Sequence, residues 1–321
     1  MTQIVAMDVG GTHARFALAQ ATPGRIELGE VVRLHTRDFV NIQTAWEEFA
    51  RLNGGSLPTA ASIAIAGPVG DDLIRFTNNP WTIRPATIAA QLGLEQVTLI
   101  NDFGAVAHAC ARAPDSDFLH LCGPEGPLPA SGRLTVLGPG TGLGVAHLWR
   151  SGAGEYQVQA TESGHVDFAP LDAIEDAILA RLRKRHRRVS VERVVSGPAI
   201  VDIYETLAAL EGRAVVEEDD VTLWQRGTSG EDSLAAAAVD RFCLSLGSFA
   251  GDLALIQGAV GVVVAGGLGY RIRETLLASG FADRFRAKGR FEKMVSQIPV
   301  KLSTHPEPGL FGAAACFAME H

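Results

Sequence analysis

This chain of 321 residues predicts an α/β protein of two related halves, and three observations predict it. Strand-like and helix-like runs alternate from the start, the pattern of a sheet covered by helices. A strand, glycine turn and strand occur at residues 4–19 and again at 133–149, alike in pattern rather than identity. Such a recurrence suggests two related halves with a cleft between them. The hydrophobic fraction is 47% against 20% charged, enough apolar surface for two cores.

Residues 3–9 read as a strand, Gly10-Gly11-Thr12-His13 as a turn and Ala14–Ala19 as the returning strand, because Gly-Gly between strand-like runs signals a hairpin. A third strand is expected over 26–35 and a helix over Ile42–Leu52, ending near Asn53-Gly54-Gly55. Ala60–Ala66 has the small and β-branched residues of a buried strand, stopped by Gly67-Pro68. Ile74–Thr77 is short and extended, ahead of the turn-rich Asn78-Asn79-Pro80-Trp81. Pro85–Leu92 predicts a helix, Val97–Ile100 a strand and Ala105–Ala111 a helix. A Gly/Pro-rich piece from Cys122 to Gly132 leads to the second hairpin, Arg133–Leu137, Gly138-Pro139-Gly140-Thr141-Gly142-Leu143-Gly144 and Val145–Trp149. Asp172–Arg188 fits an amphipathic helix, with Asp172 and Glu175 spaced as a capping box. Ser196-Gly197-Pro198 opens a helix to Leu210, Glu217–Asp220 is a charged loop, and Leu234–Gln257 is a long helix of small and apolar residues. Val262–Ala265 is a strand, Gly266-Gly267-Leu268-Gly269 a turn, and a helix follows through Ala278. Pro299–Ser303 is the last strand and Pro308–Met319 a closing helix, in which Gly309 and Gly312 allow close packing.

The bulk numbers exclude some functions. A net charge of −8 and a pI of about 5.6 argue against nonspecific binding to nucleic acid or acidic lipid. Cys110, Cys122, Cys243 and Cys316 lack zinc-ligand spacing and sit among apolar neighbours, as buried thiols of a reducing compartment do. No basic-then-apolar leader opens the chain, and no apolar run reaches the ~18 residues of a membrane span. The expected location is the cytoplasm. The basic run from Arg181 to Arg188 reads as a solvated helix face. Trp46, Trp149 and Trp224 read as structural, whereas Trp81 follows Asn78-Asn79 near the presumed cleft.

The stretch Val97–Gly104 is the focus of the chemistry. Its strand ends in Asn101-Asp102 and a helix follows, which puts functional side chains at the carboxyl edge of a sheet. Asp102 is a candidate base for a bound hydroxyl, or an N-cap. Glycine turns at 10–12, 138–144 and 266–269 follow strands, where backbone N–H groups can approach phosphate oxygens. They match no Walker A loop, since the chain has no Gly-Lys dipeptide, and no Rossmann loop, since 138–144 leads into a strand. Asp8 at a strand end suits a carboxylate holding Mg²⁺ through water, or one bonded to its own turn. Glu162, His165 and Glu192 are candidates for a polyol site, where each hydroxyl wants a fixed donor or acceptor.

Taken in order, Asp8-Val9-Gly10-Gly11-Thr12, Asn101-Asp102-Phe103, Gly138–Gly144, Glu162-Ser163-Gly164-His165-Val166-Asp167, Ser196-Gly197-Pro198 and Ala265-Gly266-Gly267 resemble bacterial glucokinases of the proteobacterial, Escherichia coli-like group. The resemblance runs from residue 4 to the C-terminus. It implies the two-domain actin-like ATPase (ribonuclease H-like) fold of the hexokinases, with the active site in the interdomain cleft. Residues 1–110, completed by a C-terminal helix over 301–321, would form the small domain and 111–300 the large one. Asp102 would be the base on the sugar 6-hydroxyl, with Asn79, Asn101, Glu162, His165 and Glu192 as further glucose contacts. Asp8, Gly10, Gly11 and Thr12 would form the first phosphate loop and Gly138, Gly140, Thr141 and Gly142 the second, with Gly266 and Gly267 on the adenosine side. The donor would be ATP with Mg²⁺ near Asp8, the assembly a homodimer and the pathway glycolysis. Ser163 departs from an expected glycine and His13 from an expected asparagine. The cysteine cluster of the related ROK group is missing, so no structural zinc is expected. The alternatives are a kinase of another hexose, a sugar-responsive regulator and a dehydrogenase. The regulator is disfavoured because the first strand leaves no room ahead of it for a DNA-binding helix, and the dehydrogenase by the loop geometry.

Overall fold

The computed structural model describes residues 2–67, 69–76, 79–214 and 217–321, so the expectations for Pro68, Thr77 and Asn78 lie outside the described residues. In chain order the elements are β1 (Thr2–Val9), β2 (His13–Thr22), β3 (Arg25–His35), α1 (Ile42–Leu52), β4 (Ala60–Ile65), β5 (Ile74–Arg75), β6 (Thr82–Ile83), α2 (Pro85–Leu92), β7 (Gln96–Asn101), α3 (Asp102–Arg112) and β8 (Phe118–Cys122). Then come β9 (Ser131–Pro139), β10 (Leu143–Ser151), β11 (Tyr156–Thr161), α4 (Ala173–Arg183), α5 (Ala199–Leu210), α6 (Asp220–Ser229) and α7 (Ser233–Gln257). The chain closes with β12 (Gly261–Val264), α8 (Gly267–Arg271), α9 (Arg273–Ala278), α10 (Phe281–Arg286), α11 (Glu292–Val295), β13 (Val300–Ser303) and α12 (Pro308–Glu320).

Two units emerge. The first is Met1–Pro114 with Val158–Ala160 and His305–His321, the second Asp115–Gln157 with Thr161–Thr304. One expectation is corrected: residues 301–303 do not belong to the returning helix. The apolar run Val300–Ser303 is strand β13, buried between β12 and β8 in the second unit's sheet.

The first unit's sheet runs β3-β2-β1-β4-β7. β1 pairs antiparallel with β2 and parallel with β4, and β4 pairs parallel with β7. Its central strands are apolar on both faces because helices cover both. Val5, Met7 and Phe16 pack with Ile42, Trp46 and Phe49 of α1 and Ile88 of α2. On the other face, Ile4, Ala6 and Ala17 pack with Leu310, Ala314 and Phe317 of α12. Gly312 is needed there, since a Cβ would overlap the Ala105 carbonyl oxygen of α3.

The second sheet runs β11-β10-β9-β12-β13-β8. Its first five strands repeat the first unit's order, with β9 antiparallel to β10 and parallel to β12, so the suspected internal repeat is a duplicated sheet plus the edge strand β8. Leu137, Val262, Val264 and Leu302 pack under Ile200, Ile203 and Leu207 of α5 and Phe242 and Leu246 of α7. α7 has the length and composition to cross a membrane, which the sequence reading overlooked. Yet 72% of that window is buried, and it serves as the core helix of this unit. Asp232 caps its start and left-handed Gly258 its end.

Other differences have local causes. α4 stops at Arg183 instead of reaching Arg188, although Asp172 caps its start as expected. Glu175 does not close the box on the cap itself; its carboxylate accepts from the Leu171 N–H one residue earlier. The basic run is not a free face, because Arg181 and Arg185 bond Asp202 and Arg188 pairs with Asp167. Asp219, within the expected charged loop, caps the unexpected helix α6. The long helix expected after Gly269 breaks at Ile272 into α8 and α9. Trp149 is exposed on β10 rather than packed inside. All four cysteines are buried thiols outside any disulfide, and burial lifts Cys243 and Cys316 to about 12, far from the reactive thiolate.

Candidate active site

Parallel pairing sets the first unit's functional edge. β1, β4 and β7 end together, with Val9 opposite Ile65 and Ile65 opposite Asn101. The turn after β1 and the polar pair after β7 thus leave one sheet edge about 10 Å apart, two strand spacings. Asp8, Gly10, Gly11, Thr12, Asn101 and Asp102 all belong to this edge.

Between the two readings of Asp102, the structure assigns the cap to its neighbour. Asn101 is the N-cap of α3, and its Oδ1 accepts from the N–H groups of Phe103 (2.9 Å) and Gly104 (3.0 Å). Its Nδ2 donates to the Gly67 carbonyl at 3.1 Å, tying the ends of β7 and β4 together. Asp102 is the first residue of the helix, half-buried, with Oδ1 accepting from Phe103 N–H at 2.8 Å. A carboxylate there is favoured as an anion by the helix start.

Asp8 does not bond its own turn. It sits opposite Arg15 in the hairpin, and the Arg15 guanidinium donates to its Oδ2 at 2.8 Å. Burial pushes the Asp8 carboxyl up from its ordinary value, Arg15 pulls it down, and Glu307 nearby raises it again. Glu307, just before α12, also pairs with Arg33 and lies 3.8 Å from Arg15. Gly309 lies against Asp8, where a Cβ would come 2.7 Å from Oδ2. The glycine turn itself is held by Thr36, whose hydroxyl donates to the Gly11 carbonyl (3.0 Å) and whose N–H donates to that of Thr12 (3.0 Å). Asn79 is buried, with Oδ1 accepting from Trp81 N–H (2.9 Å) and Nδ2 donating to the Gly10 carbonyl (3.4 Å). Trp81 is wholly buried, and its indole N–H donates to the Phe39 carbonyl.

The second unit repeats the edge with different locks. β9 runs two residues past its last pair with β12, Leu137 opposite Val264, so Gly138 and Pro139 stay in the strand while Gly140–Gly142 and Gly266-Gly267 leave the same edge of the sheet. Within the first of these turns, Gly140 N–H donates to the Gly142 carbonyl at 2.8 Å. From outside, Gly197 N–H donates to the Gly140 carbonyl at 2.7 Å, and Trp224 Nε1 holds the Gly197 carbonyl at 2.8 Å. A side chain at Gly197 would come 3.0 Å from that same Gly140 oxygen. Gly266 has φ +90°, a conformation suited to glycine. Around Gly140, Thr141 and Gly267 the backbone is open, and a Cβ on either glycine would meet nothing within 4 Å.

Next to this turn lie the other sugar candidates. Glu162 precedes and His165 ends a single 3₁₀ turn, Ser163–His165, packed so closely on the start of β10 that a Cβ on Gly164 would overlap the Leu143 carbonyl oxygen. The imidazole stands between two carboxylates, with Nε2 3.7 Å from Glu162 and Nδ1 3.8 Å from Glu192. Both separations exceed a hydrogen bond. Ser163, the departure from glycine, places its hydroxyl 2.8 Å from Thr161 Oγ1, which in turn reaches the Val145 carbonyl. The candidates therefore form two groups, one at each sheet's carboxyl edge. Thr36, Arg15, Glu307 and Gly197 were missed as functional residues. Only Gly197 carried a signal, in Ser196-Gly197-Pro198.

The family model described as Glucokinase matches residues 5–320. A curated glucokinase of Zymomonas mobilis is 56% identical over 320 residues, covering 99% of this chain and 98% of that one. The crystal structure of glucokinase from an Antarctic psychrotroph is similar with a TM-score of 0.84 and 33% identity, covering 98% of each chain. A ROK family glucokinase from Streptomyces griseus, solved in complex with glucose and AMPPNP, shares the fold with a TM-score of 0.65 at 18% identity, covering 99% of this chain and 100% of that one.

Proposed function

The chain belongs to the glucokinase family, and from that premise we propose that it transfers the terminal phosphoryl group of ATP to the 6-hydroxyl of D-glucose. The observation that carries the assignment of roles is the capping of α3 by Asn101 rather than Asp102. The amide caps the helix, and the carboxylate one residue later, whose Oδ1 also accepts from the Phe103 N–H, stands as an anion at the sheet edge where a substrate hydroxyl would meet it.

Phosphoryl transfer of this kind passes through a loose transition state, so positioning and charge neutralisation supply most of the rate. Asp102 orients the 6-hydroxyl and takes its proton as the new bond forms. Glu162 and Glu192 accept from other hydroxyls, and His165, between them, donates or accepts as the sugar requires. Asn79 and Asn101 are further sugar contacts, and they also hold the Gly10 and Gly67 carbonyls at the edge that carries Asp102. The first phosphate loop is Gly10, Gly11 and Thr12 beside Asp8 and the second Gly138, Gly140, Thr141 and Gly142; the Gly10 and Gly140 N–H groups close the turns themselves, so Gly11, Thr12, Thr141 and Gly142 carry the N–H groups for phosphate oxygens, with Gly266-Gly267 toward the adenosine.

The residues fit a Mg²⁺ ion that keeps most of its water. Asp8 is a single carboxylate with one oxygen held by Arg15, and among the described residues no cluster of three or more ligating side chains exists. Asp8 would hold the ion through water, and Mg²⁺ would neutralise charge on the donor's phosphates. The same proposal includes a homodimer working in the cytoplasm at the entry to glycolysis.

A coupled assay of ADP release over glucose, fructose and mannose tests the reading. Glucose should give the highest kcat/KM, by about tenfold or more, the discrimination expected of hydroxyl-specific contacts. ADP release that ignores added sugar, or equal rates with all three hexoses, would overturn it.

A further inference from the structure

The second unit's glycine turn and its sugar-side residues share one side chain. Glu192 sits on the short 3₁₀ turn Val191–Arg193, a quarter of its side chain exposed. Its Oε2 accepts from the Leu143 N–H at 2.9 Å, the first peptide of β10 after the glycine turn. Gly142 is pressed against the same oxygen, and a Cβ there would come 2.6 Å from it. Its Oε1 faces His165 Nδ1 at 3.8 Å, too far for a direct bond and near enough for a shared hydroxyl. The two peptide segments are themselves laced together: Val191 N–H donates to the Val166 carbonyl at 2.9 Å and Phe168 N–H to that of Val189 at 3.0 Å. Neither end of this carboxylate can shift without moving the other.

We infer that Glu192 is a positioning residue for the phosphoryl donor as well as a sugar contact, so that the glycine turn at Gly140–Leu143 and the Glu162–His165 pair respond to each other's occupancy. The inference rests on the reading above, in which the turn meets phosphate and the pair meets glucose. A sugar hydroxyl at Oε1 fixes the carboxylate, and the fixed carboxylate fixes the Leu143 peptide on which the turn closes. By linkage, donor bound to the turn must tighten sugar by the same factor. A charge-assisted hydrogen bond is about twice as strong as a neutral one, so the turn loses order measurably without this acceptor.

Calorimetry on the full chain, with MgADP and with glucose as separate probes, tests this. In the parent, saturating glucose should tighten MgADP several-fold, a coupling of the usual size between linked sites. Glu192→Ala should weaken MgADP about tenfold with no sugar present, the loss of one charge-assisted bond, and glucose should no longer tighten it. Glu192→Gln keeps an oxygen for the Leu143 N–H and should hold MgADP within about threefold of the parent while weakening glucose. Glu162→Ala, which touches no part of the turn, should weaken glucose alone. Gly142→Ala gives the sharpest result: a methyl group in the donor turn should weaken glucose about tenfold in the absence of nucleotide, because the only atoms it meets are those of the Glu192 carboxyl group. Should Glu192→Ala fail to fold, Gly142→Ala carries the test alone. Parental MgADP affinity in Glu192→Ala, or parental glucose affinity in folded Gly142→Ala, would overturn the inference. A parent that binds neither glucose nor MgADP would instead overturn the functional reading itself.

Discussion

The two glycine hairpins occupy the same place in the same strand order, yet they are held by different chemistry. The first, between β1 and β2, is locked by side chains: Arg15 on Asp8, Thr36 on Gly11 and Asn79 on Gly10. The second, between β9 and β10, is locked largely by its own and neighbouring backbone, with Gly197 on Gly140 and one carboxylate, Glu192, on Leu143. A duplicated frame thus fixes where each turn leaves its sheet. What each turn does is set by the residues that arrive from elsewhere in its own unit. In the first unit those include a charged cluster, and the edge it shares carries the proposed base. In the second they are the proposed hydroxyl-binding groups.

If that division is right, mutations in the two units should separate rate from binding. Asp102→Ala is expected to lower kcat by ~10² or more, the usual loss for a general base, with glucose affinity by calorimetry changed by less than about fivefold. Glu162→Gln should do the opposite, weakening glucose by about tenfold while most of kcat survives. Parallel losses of both quantities in both variants would break the comparison.

Stability sharpens it next. Gly312→Ala forces a methyl group into the Ala105 carbonyl and should destabilise the chain by ~3 kcal/mol in urea denaturation. Gly140→Ala meets nothing within 4 Å and should change stability by less than ~0.5 kcal/mol, while MgADP binding still falls. Equal destabilisation by the two would mean that both glycines are packing residues.

A further effect concerns pH. Burial pushes His108 of α3 down to about 4, from an ordinary value of 6.5. Between those values the unfolded chain holds the proton and the folded one does not. Stability is therefore full above about pH 6.5 and falls as the pH drops, by roughly 2 kcal/mol at pH 5. His108→Gln should flatten this slope in thermal melts. His147 of the second unit is shifted downward by burial as well, so His147→Gln should flatten it in turn, with a smaller share. A parent whose melting point is level between pH 7 and pH 5 would contradict the His108 assignment.

Elements with their own punctuation were legible in the sequence. α1 runs from the Asn41 cap to Asn53, and α2 opens on Pro85 and closes on left-handed Gly93, so both helices have the bounds that local signals imply. Strands β8 and β11 were missed because each is an outer strand, partly exposed along its length and without a buried apolar run to mark it, and α6 because its cap lay inside an acidic run. For the site, motifs located the turns and the Asn101-Asp102 pair, and the division of labour within that pair needed the helix geometry. Thr36, Arg15 and Glu307 act by reaching distant backbone or charge, as Thr36 does across 25 residues to Gly11. A partner that far away leaves no local pattern for a reader of the sequence.

The most direct test of the account is phosphorus NMR of the product formed from glucose and MgATP by the parent and by Asp102→Asn. The account predicts phosphate on the 6-oxygen alone from the parent, and formation slower by about a hundredfold or more from the variant, which keeps the shape of the side chain but not its basicity. Phosphate on any other oxygen, or an Asp102→Asn variant as fast as the parent, would contradict it.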